Sequence, residues 1–504
     1  MRTALAPLLL SVALAACASA GDTGASDVDA SGLDDASFDA QVIDANDATS
    51  SPSDAASPDA PDVAPDTSPD GSDASSPDAD PEDTGSDGGP PADASPPDAA
   101  PEDAGSGGAL ADVDAGSSDA GPSDAGSSDA GPDVAPPQLE SVLAQLRAST
   151  GATMAGIANG AGWPLETSAG WLIVDVDTGL PSVAGDFDGW AGTALTADEG
   201  FSYAVVSASP GDGYKFTDGA SDYRADPWSR AYGYDENGEI SYLRPSVAHL
   251  ERFFAIGDGA IAPRRLRVWV PAEPVTHTLY AHDGQNLFED SQASFGVSWE
   301  LDESAPAGMM IVGIDNTAAR LDEYGHVLDR AGTGTAGGLA DDYADYVRDT
   351  VRPLIREAYG EGARVGVMGS SMGGLVSLYI AHVQPGEWDM AISLSGALSW
   401  GSRGVDDVTI HALYAVEGVR DTAIYVDSGG GVEGVCVDSD GDGLNDDAAD
   451  SDGYCVNRQF ADQLAGQGYT WESDLWHWHE PGALHNEAAW AARVFRPLEH
   501  FAAR

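Results

Sequence analysis

From Arg264 to Arg504, short apolar runs alternate with longer stretches whose apolar positions recur at helical spacing. Leu266 to Val270, Thr278 to Ala281, Met309 to Ile314, Val365 to Met368, Met390 to Leu394 and Ala423 to Val426 read as buried strands. Between two of them, Leu339, Tyr343, Tyr346, Val347, Val351, Leu354 and Ala358 mark one face of a helix. Pro353 is expected to kink that helix near its end. The alternation predicts an α/β domain with a largely parallel sheet, long enough to bury a large core.

Upstream the pattern changes. Trp171 to Val176, Leu180 to Ala184, Phe201 to Val206 and Tyr214 to Phe216 are short runs set between Gly/Asp turns. They predict a small all-β sandwich, preceded by an amphipathic helix over Leu139 to Leu146. Residues 18–137 carry no such pattern. They repeat Asp, Ala, Ser, Pro and Gly, with Phe38 as their one aromatic residue, so little is available to bury against the entropy of ordering. A disordered, self-repelling tether is expected there.

The first residues read as a targeting signal. Arg2 supplies the positive end, Leu5 to Leu14 the apolar stretch, and Leu14-Ala15-Ala16-Cys17 the small-residue end. The apolar stretch is too short to remain as a membrane-spanning helix. The tetrapeptide resembles a bacterial lipobox. That resemblance implies cleavage before Cys17, a lipid on its sulfur, and an exported lipoprotein anchored to a bacterial outer membrane, periplasmic or at the cell surface. The expected segments are therefore 1–17 (signal), 18–137 (tether), 138–250 (sandwich) and 251–504 (α/β domain).

Charge and cysteine content narrow the options. The 504 residues carry a formal net charge of −62, which excludes nucleic acid as a partner because phosphate contacts need a basic surface. No Lys or Arg lies between Arg2 and Arg147, and Lys215 is the sole lysine of the chain. With Cys17 assigned to lipid, Cys436 and Cys455 remain to close one loop, and an oxidising compartment favours that disulfide.

The candidate chemistry centres on Gly369-Ser370-Ser371-Met372-Gly373, between an apolar strand and a helix. Ser371 occupies the centre of a G-x-S-x-G turn, where the two glycines let strand and helix fold closely and the serine hydroxyl stands at the helix amino end. A serine nucleophile needs a base, and the base needs a carboxylate to fix its tautomer. His485 lies in the loop before the last helix and is the candidate base, although His477 and His479 alternate within the preceding strand. The acid should follow Ala423 to Val426, where Asp427, Glu433, Asp450 and Asp452 are available; Asp452 is favoured by its place before the helix Arg458 to Leu464, with Glu433 as the alternative. Backbone N–H groups of Met372 and Gln285 are the candidate oxyanion donors, Gln285 from the loop His282-Asp-Gly-Gln-Asn-Leu-Phe288.

Together with Ile314-Asp-Asn316, Arg320, Glu323-Tyr324, Gly482-Ala-Leu-His-Asn486 and Trp490, these motifs resemble the putative esterase family of α/β-hydrolases over nearly all of residues 264–504. Feruloyl and acetyl-xylan esterases, enterochelin esterases, formylglutathione hydrolases and mycolyltransferases belong to that family. The resemblance implies a Ser371–Asp452–His485 triad acting through an acyl-enzyme on an ester substrate, polysaccharide- or siderophore-linked, with no cofactor in the chemistry. Acyl transfer by the same residues is the neighbouring reaction. A carbohydrate-binding surface lipoprotein with a silent hydrolase scaffold is the reading from a different class.

Two features stand apart from the triad. Val183 to Trp190, with Gly213 to Phe216 and Asp226-Pro227, resembles the early-set immunoglobulin-like domains of glycogen- and starch-binding modules. That likeness implies Trp190 and Lys215 as sugar contacts; packing beside the catalytic domain is the plainer role. The insertion after Val426 reads Asp438-Ser-Asp440-Gly-Asp442-Gly-Leu444-Asn-Asp446. Carboxylates at alternate positions before a glycine have calcium-loop spacing. Asp438, Asp440, Asp442, Leu444 and Asp446 are the candidate ligand positions for a structural Ca2+, inside a loop closed by Cys436 and Cys455. Ala449 stands where an EF-hand has its bidentate glutamate, so the loop is closer to thrombospondin-type repeats.

Overall fold

The computed structural model describes residues 135–416, 418–431, 436–446 and 452–504. Cys17, the signal, the tether up to residue 134, Glu433, Ala449 and Asp450 lie outside the described residues. Among the described residues, no helix is long and apolar enough to cross a membrane.

Eight strands of one 14-stranded sheet surround the site. They are β1 (His249–Ile256), β2 (Arg264–Val270), β3 (His277–His282), β4 (Met309–Ile314), β5 (Arg364–Ser370), β6 (Met390–Leu394), β7 (Ala423–Ser428) and β8 (Leu475–His479). Their spatial order is β1-β2-β4-β3-β5-β6-β7-β8. β1, β2 and β4 pair antiparallel, and every pair from β4 onward is parallel. The chain passes from β3 to β4 on one side and returns to β5 on the other, so winding reverses at β3. In an open α/β sheet the crevice beyond the carboxyl ends at such a reversal is where ligands bind.

Side chains alternate across the sheet, as a period of two requires. Tyr280, Val312 and Val367 face one core with Leu375, Val376 and Leu378 of helix α1 (Met372–Val383). Leu279, Ile311, Met368, Ile392 and Tyr425 face the other, with Trp490, Leu498 and Phe501. The helix read from Leu339 to Ala358 is helical over Ala340–Tyr346 and Arg352–Tyr359, with a π-type turn at Val347–Val351 between them. Pro353 lies at the start of the second segment. Its missing N–H removes one bond of the regular ladder at this junction.

Between residues 165 and 242 the strands are short. Leu165–Thr167, Gly170–Asp175, Phe201–Val206 and Thr196–Asp198 form one antiparallel sheet. Ser182–Gly185, Gly213–Thr217, Gly238–Tyr242 and Ala231–Asp235 pair in sequence along a second, which continues through β1 into the large sheet. Trp171, Ile173, Val183, Tyr214 and Phe216 are buried together where the two face each other. The expected boundary at residue 250 thus falls within a strand that is hydrogen-bonded on both sides, so the backbone ladder runs across it. Ahead of these strands come two helices, Leu139–Ala148 and Thr150–Asn159, where the sequence pattern had marked only the first.

Candidate active site

Register brings four carboxyl ends of strands to one level: Ser370 of β5 pairs with Leu394 of β6, Leu394 with Asp427 of β7, and Ser428 of β7 with His479 of β8. Ser371 leaves β5 at φ 54°, ψ −121°, a conformation that costs a non-glycine residue energy. The surrounding backbone holds it there. Ser371 N donates to Leu394 O at 2.9 Å, and Ser371 O accepts from Leu375 N at 3.1 Å and Ala397 N at 3.0 Å. A Cβ on Gly369 would lie 2.6 Å from the carbonyl carbon of Gly373, so only glycine permits this approach of strand and helix. The N–H of Met372, first residue of α1, is not consumed by the helix's own ladder.

The second donor loop follows β3. Gly284–Asn286 form one 3-10 turn, and a Cβ on Gly284 would lie 2.6 Å from the Gly313 carbonyl carbon. Asp283, itself at φ 59°, is buried and held by Arg320 through Nε at 2.7 Å and Nη2 at 2.8 Å, and by Asn316 Nδ2 at 2.6 Å. Asn316 N donates to Gln285 Oε1 at 3.1 Å. Arg264 grips Glu323 with two bonds of 2.9 and 2.7 Å, fixing the helix that carries Arg320. These motif residues therefore hold the Gln285 loop in place. His282 is buried beside Tyr343, and burial pushes its pKa down to about 3, so it stays neutral.

The structure brings Asp452 and His485 together. His485 Nδ1 donates to Asp452 Oδ1 at 2.7 Å, which leaves Nε2 as the basic nitrogen. Asp452 has a fully buried side chain, whereas that of His485 is 34% exposed. Asp452 Oδ2 accepts from Ser395 Oγ at 2.6 Å and from the backbone N–H of Gly429. Ser395 Oγ in turn accepts from Trp490 Nε1 at 3.0 Å and Arg493 Nη2 at 2.6 Å, and the Trp490 ring meets His485 edge-on. His479 instead hydrogen-bonds Gly430 O at 2.9 Å and stacks on Tyr454, while His477 is driven by burial down to about 4.

Three members of this network, Ser395, Gly429 and Arg493, carry no local sequence signal for their roles. Gly429 is forced by space: a Cβ there would lie 2.5 Å from Ala483 O and 2.8 Å from Asp452 Oδ2. Asp427, named as a possible acid, pairs with Arg493 Nε at 3.1 Å.

The remaining candidates separate. Cys436 and Cys455 are disulfide-bonded. Asp438, Asp440 and Asp442 each place a carboxylate oxygen within 4.8 Å of the others, which suits a hard cation with oxygen ligands; Asp446 is outside that cluster. Leu444 packs its side chain into the core beside α2 (Tyr454–Gln467), whose Gln459 binds Gly443 O and Asn445 N. Trp190 is partly exposed and leans on Tyr223. Lys215 is not on the surface: it is buried, with its ammonium on Asp235 Oδ1 and Asn237 O, both at 3.2 Å. A buried ammonium keeps its charge only with such partners, so Lys215 is a structural ion pair and offers no contact to a surface sugar.

The strand order and the strand–helix turn at Ser371 define an α/β-hydrolase fold. Residues 263–501 match the family model described as putative esterase, which supports that family for this segment. Similar solved structures include an IroE-like serine hydrolase from Shewanella oneidensis, at 17% identity over 50% of this chain and 80% of that one, TM-score 0.39. The siderophore hydrolase EstA from Aspergillus nidulans is 14% identical over 50% and 94%, TM-score 0.37. The enterobactin esterase FES from Shigella flexneri is 15% identical over 66% and 93%, TM-score 0.37. No curated protein matches the chain.

Proposed function

We propose that the chain is a serine esterase that cleaves carboxylic esters through Ser371, His485 and Asp452. The observation that carries this reading is the 2.7 Å bond from His485 Nδ1 to a fully buried Asp452, whose Oδ2 accepts from Ser395 Oγ just past the end of β6, the strand paired with the one that leads to Ser371. His485 Nε2 takes the Ser371 hydroxyl proton as Oγ bonds to the ester carbonyl carbon. The oxyanion is met by the N–H groups of Gln285 and Met372. The tetrahedral species collapses, the C–O bond to the alcohol breaks, and His485 returns the proton to the departing alkoxide. Water then repeats the sequence on the acyl-enzyme, releasing the acid and the free Ser371 hydroxyl. Asp452 keeps the tautomer and offsets the charge of the imidazolium.

The test is turnover of short p-nitrophenyl esters with fluorophosphonate labelling. Both should vanish in Ser371→Ala, and full activity in that variant rejects the reading. Carbohydrate-linked and siderophore-type esters are the substrate classes to try first, with an added sugar acceptor to detect acyl transfer. The residues from 165 to 242 serve on this reading as an accessory module beside the hydrolase.

The same proposal covers export. The lipobox-like Leu14-Ala-Ala-Cys17 supports a lipid anchor, with the Asp-rich segment as a spacer from the membrane. Palmitate incorporation that survives Cys17→Ser would reject the anchor. Asp438, Asp440 and Asp442 would hold a structural Ca2+ that takes no part in the chemistry.

A further inference from the structure

Away from the triad, a cavity of about 500 Å³ opens where Ala231–Asp235, Gly238–Tyr242 and β1 meet the segment after the Gln285 loop. Its aromatic wall includes Tyr234, Tyr242 and Trp269, and no Lys or Arg lines it. None of those three rings has an arginine over its face among the described residues. Glu289, Asp290, Glu300, Asp302 and Glu303 also line it. No ion pair among the described residues engages any of these five carboxylates. Such an arrangement concentrates negative potential beside the aromatic wall, and the arginine over the lining Tyr232 ring, Arg252, is itself paired with Glu239 at 2.8 Å.

A second observation is independent of the acidic residues. Ser298 lines the cavity at 2% exposure, and its Oγ has no hydrogen-bond partner among the described residues. A buried hydroxyl without a partner costs free energy that a bound donor would recover. Asp302 Oδ1 is likewise a buried atom without a partner. Burial, together with the charges of Glu303, Glu289 and Glu300, pushes the Asp302 carboxyl up to about 6.

From this geometry we infer that the cavity is a binding site for an organic cation, an alkylammonium or guanidinium carried on an apolar body. The cationic head meets Glu300 and Asp302, with the Ser298 hydroxyl accepting one of its protons, and the body lies on Trp269 and Tyr234. Anionic ligands are turned away by the same carboxylates. The wall is tied to the catalytic side through the backbone, since Trp299 N donates to Asn286 O and Leu301 N to Leu287 O, both at 2.9 Å. The site stands independently of what Ser371 does.

The test is calorimetric titration of the full chain with 4-phenylbutylamine, the alcohol 4-phenylbutanol and the anion 4-phenylbutyrate. It is repeated on Trp269→Ala and on the double variant Glu300→Gln/Asp302→Asn. Both variants keep the Asp-rich amino-terminal segment, so amine adsorbed there is common to all three proteins. The expected result is saturable binding of the amine to the native chain, weakened at least about tenfold in each variant, with no saturable binding of the alcohol or the anion. Native affinity in either variant overturns the site. So does equal binding of the alcohol, or no saturable amine binding up to about 10 mM.

Discussion

Arg493 Nε lies 3.1 Å from Asp427 Oδ1, with the guanidinium set between two carboxylates whose side chains are fully buried. Its Nη2 reaches Ser395 Oγ at 2.6 Å and stands 3.5 Å from Asp452 Oδ2. The acid that binds His485 therefore shares one cation with a neighbour that does not. Removing that cation leaves two buried anions facing each other, a loss of about 3–5 kcal/mol. Arg493→Met is expected to unfold at correspondingly lower urea and to lose esterase activity; a midpoint matching the native chain rejects the shared-cation role.

Asp427 makes that arrangement pH-dependent. Burial pushes its carboxyl up to about 6 despite the pull of Arg493, with the charge of Asp452 adding to the rise. A folded pKa above the unfolded value of about 3.9 means that ionisation costs the folded state stability. The cost is absent below about pH 4, grows between 4 and 6, and is complete above about 6. Asp427→Asn escapes it. The variant should therefore gain on the native chain as pH rises from 4 to 7, by up to about 3 kcal/mol, read from urea midpoints. A difference that stays constant across that range would disprove the assignment.

The identity of the acid is open to a direct comparison. Asp452→Asn keeps the shape of the side chain but loses the charge that fixes the His485 tautomer, so kcat/KM should fall about 10⁴-fold. Glu433→Gln should stay within about threefold of the native value. Equal losses in the two variants would mean that Asp452 is not the group acting on His485.

What was legible in the chain follows from range in sequence. The strands of the α/β domain announce themselves by apolar runs, and Met309–Ile314 and Met390–Leu394 fall where the pattern puts them. The G-x-S-x-G turn is local, so its two glycines and its serine can be read together. Asp452 was favoured from its place before a helix, though that helix begins at Tyr454, four residues ahead of the expected Arg458. Ser395, Gly429 and Arg493 were invisible because their roles exist only once β6, β7 and the carboxyl-terminal helices converge. Lys215 misled for the opposite reason: the resemblance supplied a role, whereas the pairing of Gly213–Thr217 inside a sheet buried the side chain.

Gly429 offers a sharp steric test. A methyl group there would have to displace Ala483 or the Asp452 carboxylate, and Ala483 lies two residues before His485. Overpacking of this kind costs about 1–3 kcal/mol. Gly429→Ala should lower kcat/KM more than 100-fold while the protein remains folded, because a displacement of about 1 Å is enough to spoil the geometry. Unchanged turnover would show that the Asp452–His485 contact tolerates the shift.

The calcium proposal joins stability to the same loop. Asp438, Asp440 and Asp442 converge to within 4.8 Å of one another, each exposed, and their mutual repulsion is a cost that a divalent cation would cancel. The loop is clamped at both ends of this cluster. Cys436 is bonded to Cys455, and Gln459 of α2 holds Gly443 and Asn445. An ion at a hundred times its Kd stabilises the fold by about 2.7 kcal/mol, so chelation should lower Tm by roughly 5 °C, and added calcium should restore it. Asp440→Asn should melt near the chelated value and respond little to chelator. The disulfide encloses 438–442, so Cys436→Ser/Cys455→Ser should lose about 3 kcal/mol and bind calcium more weakly. Esterase activity should survive chelation below the melting transition, since the carboxylate cluster of Asp438, Asp440 and Asp442 includes none of Ser371, His485 and Asp452. A native Tm indifferent to both chelator and calcium would remove the ion from the protein.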